Sequence, residues 1–137
     1  MRMISLALAA VGLVSLSAQA APLMSTDWAA QACQSWNGNP VLTDELAEKW
    51  IKNDKGRGYK VMHMYRTDCG EGGKVEMTIS YKNGKAMCTY AGKVQHTELD
   101  LAVDYLMHAE TKRWKEMGAG EYGPMRAMTF GRLKFEG

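Results

Sequence analysis

Histidine is scarce, with three residues in 137, and His63, His96 and His108 show neither a zinc-ligand spacing nor a helical His-Glu pair. None of the three sits in a nucleophile motif, and no Cys-x-x-Cys occurs. Gly70, Gly72 and Gly73 lack the lysine and the following helix that a phosphate-cradling loop requires. His63 alternates with Val61 and Tyr65, a strand position that suits a hydrogen-bonded structural histidine. A catalytic set does not assemble, so no enzyme activity, metal or cofactor is expected. Charge of one sign is missing too: 17 basic against 15 acidic side chains give +2, without the strongly basic face that nucleic acid demands.

The one long apolar run opens the chain. Met1-Arg2 leads into Ile4 to Leu16 and then Ala18-Gln19-Ala20, too short for a comfortable membrane span and ending in the small-residue pattern of a signal peptidase site. Residues 1–20 therefore read as a secretory signal peptide cleaved after Ala20, with a periplasmic destination. No cysteine follows the run directly, which argues against a lipoprotein. Without Arg2 the chain keeps 16 basic and 15 acidic side chains over 117 residues, enough for one domain with a core.

Beyond the signal, residues 21–55 read as helical. Ser25-Thr26-Asp27 offers N-caps to a helix carrying Trp28, Ala29, Ala32, Cys33 and Trp36, ended by Asn37-Gly38-Asn39-Pro40. A second helix is expected from Thr43 or Asp44, burying Leu46, Ala47, Trp50 and Ile51. From Tyr59 the period becomes two, giving strands over 59–66, 74–81 and 86–91. Asn83-Gly84 is a type I′ hairpin signal. It sets Tyr81 against Ala86, Ile79 against Cys88 and Met77 against Tyr90 on an apolar face, with Ser80–Met87, Thr78–Thr89 and Glu76–Ala91 on a mostly polar one. Leu99, Leu101, Val103 and Tyr105 alternate with Asp100, Ala102 and Asp104. A helix through Leu99, Val103 and Met107 competes, but the alternation favours a fourth strand.

Three cysteines, Cys33, Cys69 and Cys88, predict one disulfide and one spare thiol in an oxidising compartment. In this register Cys88 faces Ile79, while Cys69 lies near the loop entering at Val75. Four strand residues, about 13 Å, separate them, too far for a bond. The expected pair is Cys33 with Cys69, leaving Cys88 as a buried thiol.

The chain closes with Thr111 capping a short helix that carries Trp114 and Met117, the turn Gly120-Glu121-Tyr122-Gly123, and a Pro124-started helix carrying Met125, Ala127, Met128 and Phe130. Gly131 stops it before the strand Arg132 to Glu136. Trp114, Gly118, Gly123, Pro124, Ala127, Gly131, Arg132, Leu133, Lys134, Phe135 and Gly137 together resemble the closing part of the sterol-carrier-protein-type (type two) lipid-binding domain. The resemblance is good from Leu99, looser from Gly56 and absent before that, which marks residues 56–137 as the lipid-binding domain. It implies an α+β fold with helices packed on one face of a five-stranded sheet, in agreement with the element order. In that family a further segment and a carboxy-terminal helix help close the ligand cavity. Here the sequence ends at Gly137, so either it is a fragment or the cavity opens at one end.

Eleven methionines, nine of them beyond Ala20, supply flexible apolar side chains. Met77, Met117, Met125 and Met128 should point between sheet and helices, with Ile79, Leu99, Leu101, Val103, Trp114, Phe130, Leu133 and Phe135. Residue pattern alone fits a solid core as well as a cavity; the resemblance implies that these residues hold a small hydrophobic ligand, a fatty acyl, isoprenoid or sterol-like lipid. Lys112, Arg113, Lys115 and Arg126 are candidates for an anionic head group, and a transient membrane surface contact is a further expectation. The competing reading is an adaptor or inhibitor with a solid core, working through its Trp-rich helices or the Asn83-Gly84 hairpin. A third is an enzyme subunit completed by a partner.

Overall fold

The computed structural model describes residues 21–137; the expected signal segment lies outside them. Helix α1 (Thr26–Asn37) begins where a hydroxyl is available, the Ser25 side chain accepting the Trp28 N–H at 3.0 Å, with Asp27 in the first turn to complement the helix dipole. The short helix α2 (Pro40–Thr43) follows, capped by the Asn39 side chain and started by Pro40. The expected helix from Thr43 to Ile51 is not formed. Asn39 and Pro40 nucleate a turn earlier, and residues 44–52 continue as turns, with the Ile51 N–H reaching back to the Leu46 carbonyl. Burial survives the loss of regularity, since Ala47 and Ile51 are still in the core.

Five strands follow: β1 (Tyr59–Arg66), β2 (Val75–Lys82), β3 (Lys85–Lys93), β4 (Tyr105–Ala109) and β5 (Lys134–Glu136). They form one mixed sheet in the order β3-β2-β1-β4-β5, parallel only between β1 and β4. The architecture is α+β. Asn83 and Gly84 both take positive φ, 53° and 77°, so the tight hairpin turn forms where the Asn-Gly pair predicts it. Tyr81 faces Ala86 and Ile79 faces Cys88, but a bulge then shifts the ladder. Thr78 meets Tyr90, Met77 meets Ala91 and Glu76 meets Gly92, in place of the expected Thr78–Thr89, Met77–Tyr90 and Glu76–Ala91. Thr89 is the extra residue, its hydroxyl tied to Ser80 at 2.7 Å.

The fourth strand also lies later than expected. Asp100 turns the chain locally: its carbonyl accepts the N–H groups of Val103 and Asp104, and its side chain accepts that of Ala102. Asp104 is buried and accepts from the Asp100 and Val61 backbones and from Arg57. The alternating Leu99-Leu101-Val103 is therefore a turn held by two carboxylates, and pairing starts at Tyr105.

Helices α3 (Thr111–Gly118) and α4 (Pro124–Thr129) connect β4 to β5. Helix α1 lies over the hairpin, where the Trp36 indole donates to the Ala86 carbonyl at 2.8 Å. The Asn37 amide both donates to and accepts from the Cys88 backbone, at 2.9 and 2.8 Å. These bonds satisfy an edge strand that would otherwise offer free pairing groups. They also bring Cys33, one turn earlier, onto Cys88, and the disulfide joins these two rather than Cys33 and Cys69. Cys69 is the free cysteine, exposed in the 3₁₀ turn after β1.

The two faces of the sheet differ in chemistry. Lys60, Met62 and Met64 of β1 and Val75, Met77 and Ile79 of β2 point toward α1. The opposite face carries His63 and Glu76, 2% and 0% exposed and joined at 2.8 Å, beneath residues 94–104. Glu76 also accepts the N–H groups of Gln95 and His96 and the His96 ring, at 3.2, 2.9 and 3.0 Å.

Candidate functional site

A cavity of about 1000 Å³ lies between the inner face of the sheet, α1 and α3. Its floor is four methionines from three neighbouring strands: Met62 and Met64 of β1, Met77 of β2 and Met107 of β4. The period of two puts them on one side, and the flexible thioethers make a surface that adapts to the shape resting on it. Trp28, Ala32 and Trp36 of α1 form one wall, and Trp114 and Met117 of α3 the other. The walls meet where Trp28 packs edge-on to Trp114, ring centres 6.4 Å apart. The Trp114 indole is fixed by donation to the Tyr65 carbonyl at 3.1 Å. Leu133, Tyr122, Gly123 and Pro124 complete the far end.

Among the described residues Lys115 is the one charged member of this lining, and no carboxylate borders the space. The volume is at the upper end of what small-molecule sites occupy, and the apolar lining with few polar groups is what a lipid-sized ligand needs. Tyr122 is held by its hydroxyl, which donates to Glu116 at 2.6 Å, and Arg113 donates to the same carboxylate at 3.0 Å. Those two bonds hold the Glu116 carboxyl below its ordinary value. Among the described residues no group of three His, Cys, Asp or Glu side chains could hold a metal ion.

Of the residues named from sequence, Met77, Trp114, Met117 and Leu133 line the cavity. Ile79 belongs to the fully buried core cluster, and Met128 packs on Ala109, Ala127 and Leu133 beside the cavity. Leu99, Leu101 and Val103 are in the turn before β4 and contribute nothing to the lining. Met125 and Phe130 point to solvent, 75% and 63% exposed, and Phe135 is an exposed edge residue tilted against Tyr105. The floor residues Met62, Met64 and Met107 and the α1 wall are absent from that set. Alternation in β1 carries the signal for the first two. Helix α1 lies outside the stretch that carries the resemblance, so nothing in that pattern points to it.

The SCP-2 sterol transfer family matches residues 43–137. No curated protein gives a significant match. Among solved structures, a crystal structure of sterol carrier protein 2 is 20% identical, covering 83% of this chain and 80% of the other with a TM-score of 0.47. A conserved hypothetical protein of Thermus thermophilus is 20% identical over 87% and 76%, with a TM-score of 0.48. The apo form of sterol carrier protein 2 from Yarrowia lipolytica is 18% identical over 82% and 79%, with a TM-score of 0.42. The match spans every strand of the sheet together with α3 and α4, and the chain belongs to the SCP-2 sterol transfer family.

Proposed function

We propose that this is an exported, non-enzymatic lipid carrier that shields a fatty acyl, isoprenoid or sterol-like molecule between its sheet and helices. The observation that carries the reading is the methionine-floored, tryptophan-walled cavity, with a single charged lining residue among the described ones. Each buried CH₂ contributes about 0.8 kcal/mol, so a chain of a dozen carbons reaches about micromolar affinity after ordering costs. The space beneath α1 supports this reading over an adaptor with a solid core. Export rests on the signal-like start, with the mature protein beginning at Ala21 in the periplasm.

Native mass spectrometry of the protein recovered from its own periplasm, with solvent extraction, tests both parts. The expected result is a mass starting at Ala21 with one extractable lipid per chain. A clean apo mass, unchanged after incubation with fatty acids and sterols, would overturn the carrier reading; a protein retaining residues 1–20 would overturn the export.

A further inference from the structure

Alternation in β1 sends His63 to the face opposite Met62 and Met64, away from the apolar cavity. There it borders a separate recess of about 500 Å³, within the range of small-molecule sites. Glu71, Gly72 and Lys74 of the β1–β2 connection form one wall, and Lys93, Val94 and Thr97, running from the end of β3 toward β4, the other. Both walls are fixed. Glu76 accepts the N–H groups of Gln95 and His96 and the His96 ring, which anchors the second. On the first, Lys74 is 3.3 Å from Glu71 and lies over the Tyr65 ring at 5.7 Å.

The chemistry of the recess suits an anion. Among the described residues Lys93 has no carboxylate within ion-pair distance. The partner of Lys74 is a carboxylate 65% exposed, the kind of pair that contributes little and yields to a competing anion. His63 is 2% exposed, with Nε2 2.8 Å from Glu76 Oε1. An ionised carboxylate only accepts, so the Nε2 proton lies in that bond and Nδ1 is the nitrogen left for a ligand; among the described residues it has no other partner. Two ammonium groups, the Thr97 hydroxyl and a buried imidazole surround a guest from more directions than the two oxygens of a flat carboxylate meet, and a tetrahedral phosphate meets them.

We propose that this outer recess binds phosphate, free or as the monoester of a small organic molecule, with Lys74, Lys93 and Thr97 on its oxygens and His63 sharing one proton with it. Nδ1 accepts the P–O–H of a singly charged phosphate or, protonated, donates to a doubly charged one. The inference goes beyond the carrier reading and does not depend on it, because the sheet lies between the recess and the cavity, and among the described residues no side chain lines both. An occupant would tie the β1–β2 and β3–β4 connections together across His63.

The test is a titration of the full chain at pH 8 and low salt with phenyl phosphate, inorganic phosphate, benzoate and phenol, followed by calorimetry and by the NMR signals of the His63 ring, and repeated on Lys74→Gln/Lys93→Gln. Phenyl phosphate should bind saturably, shift the His63 ring signals and raise the thermal midpoint. Its affinity should fall about tenfold in the double variant, and should fall at high salt as well. Equal affinity for inorganic phosphate would identify the free anion as the occupant, and a preference for phenyl phosphate a monoester; either bears the proposal out. Benzoate or phenol binding as tightly as phenyl phosphate would overturn the phosphate assignment, and so would the absence of saturable phosphate binding. Shifts at the methyl groups of Met62, Met64 and Met77 with none at His63 would put the anion in the cavity and overturn the recess. Neither lysine is in the core, so an unchanged thermal midpoint of the ligand-free protein identifies a folded variant; full phosphate affinity in it would overturn the assignment of the site to Lys74 and Lys93.

Discussion

The inner and outer faces of the sheet bury comparable side chains to opposite ends. Inside, Met62, Met64, Met77 and Met107 lie under a cavity and make no directional contact that a ligand would have to break. Outside, Glu76 and Asp104 are buried carboxylates with every visible bond accounted for: two imidazoles and two backbone N–H groups on Glu76, and Arg57 with two backbone N–H groups on Asp104. A polar network of this kind tolerates little movement, because a lost partner leaves a desolvated group unpaired. An adaptable floor can have its ligand come and go only if something else holds the sheet in shape, and the outer network is placed to do that. Stability and binding should therefore be separable by face.

The largest effect is expected outside. Glu76→Ala orphans His63, His96 and two backbone donors, and should cost about 3 kcal/mol in urea denaturation. Lipid bound per folded molecule should stay unchanged. A loss under about 1 kcal/mol would show the network to be dispensable. Acid offers the same separation without mutation. Burial alone raises the Glu76 carboxyl, but the His96 and His63 side-chain bonds and the loop N–H groups outweigh it and hold the carboxyl below its ordinary value. For Asp104, burial is likewise outweighed by Arg57 and by the Asp100 and Val61 backbones. Carboxyls lowered in the folded state contribute stability above their unfolded values of about 4, and that contribution is lost as pH falls through the folded values. Thermal midpoints should fall below about pH 4, while affinity for a neutral alcohol, which meets no carboxylate in the lining, should stay level wherever the protein is folded.

The disulfide ties the comparison together, since it pins the α1 wall to β3. Its cysteines are 55 residues apart, and loop-closure entropy puts the loss on Cys33→Ser or Cys88→Ser at about 4 kcal/mol in the chain-entropy account and less where the denatured state keeps structure. Unlike Glu76→Ala, this change should weaken lipid binding as well, because the wall carrying Trp28 and Trp36 is freed. Cys69→Ser should move neither measurement, by less than about 0.5 kcal/mol. A Cys69 variant as unstable as the other two would reverse the assignment.

What can be read from the sequence follows from local rules. β1 over 59–66, the Asn83-Gly84 turn and the Pro124-started helix each rest on a period or a punctuation residue within a few positions, whereas the helix from Thr111 forms with Glu110, not Thr111, at its cap position and no side-chain cap. The failures come where a distant group overrides the local pattern. Leu99 to Val103 alternates like a strand, yet Asp104 is drawn down to Arg57 and Val61 and the stretch folds as a turn. The bulge at Thr89 moves Tyr90 off the inner face, since a single inserted residue reverses every later side chain. Cys33 and Cys88 both fall on apolar stripes, but only Asn37 and Trp36 gripping β3 show that the stripes touch. The cavity shows the same division: the α3 wall is legible through its motif, and the α1 wall is not.

The smallest and most discriminating change is on that unforeseen wall. Ala32 borders the cavity from α1, and Ala32→Trp places a bulky apolar ring in the space without burying a charge or removing a bond. Filling a void commonly leaves a fold as stable or raises it by up to about 1 kcal/mol. Lipid affinity should fall about tenfold, which corresponds to about 1.4 kcal/mol. The direction separates this variant from every outer-face change: binding is lost while the urea midpoint holds or rises. If Ala32→Trp bound lipid as tightly as the wild type, the ligand would have to be elsewhere, and α1 would be a cover for the sheet with no part in the site. If it lost stability instead, the space beside Ala32 would be too small for the ring, and the two faces would not divide stability from binding.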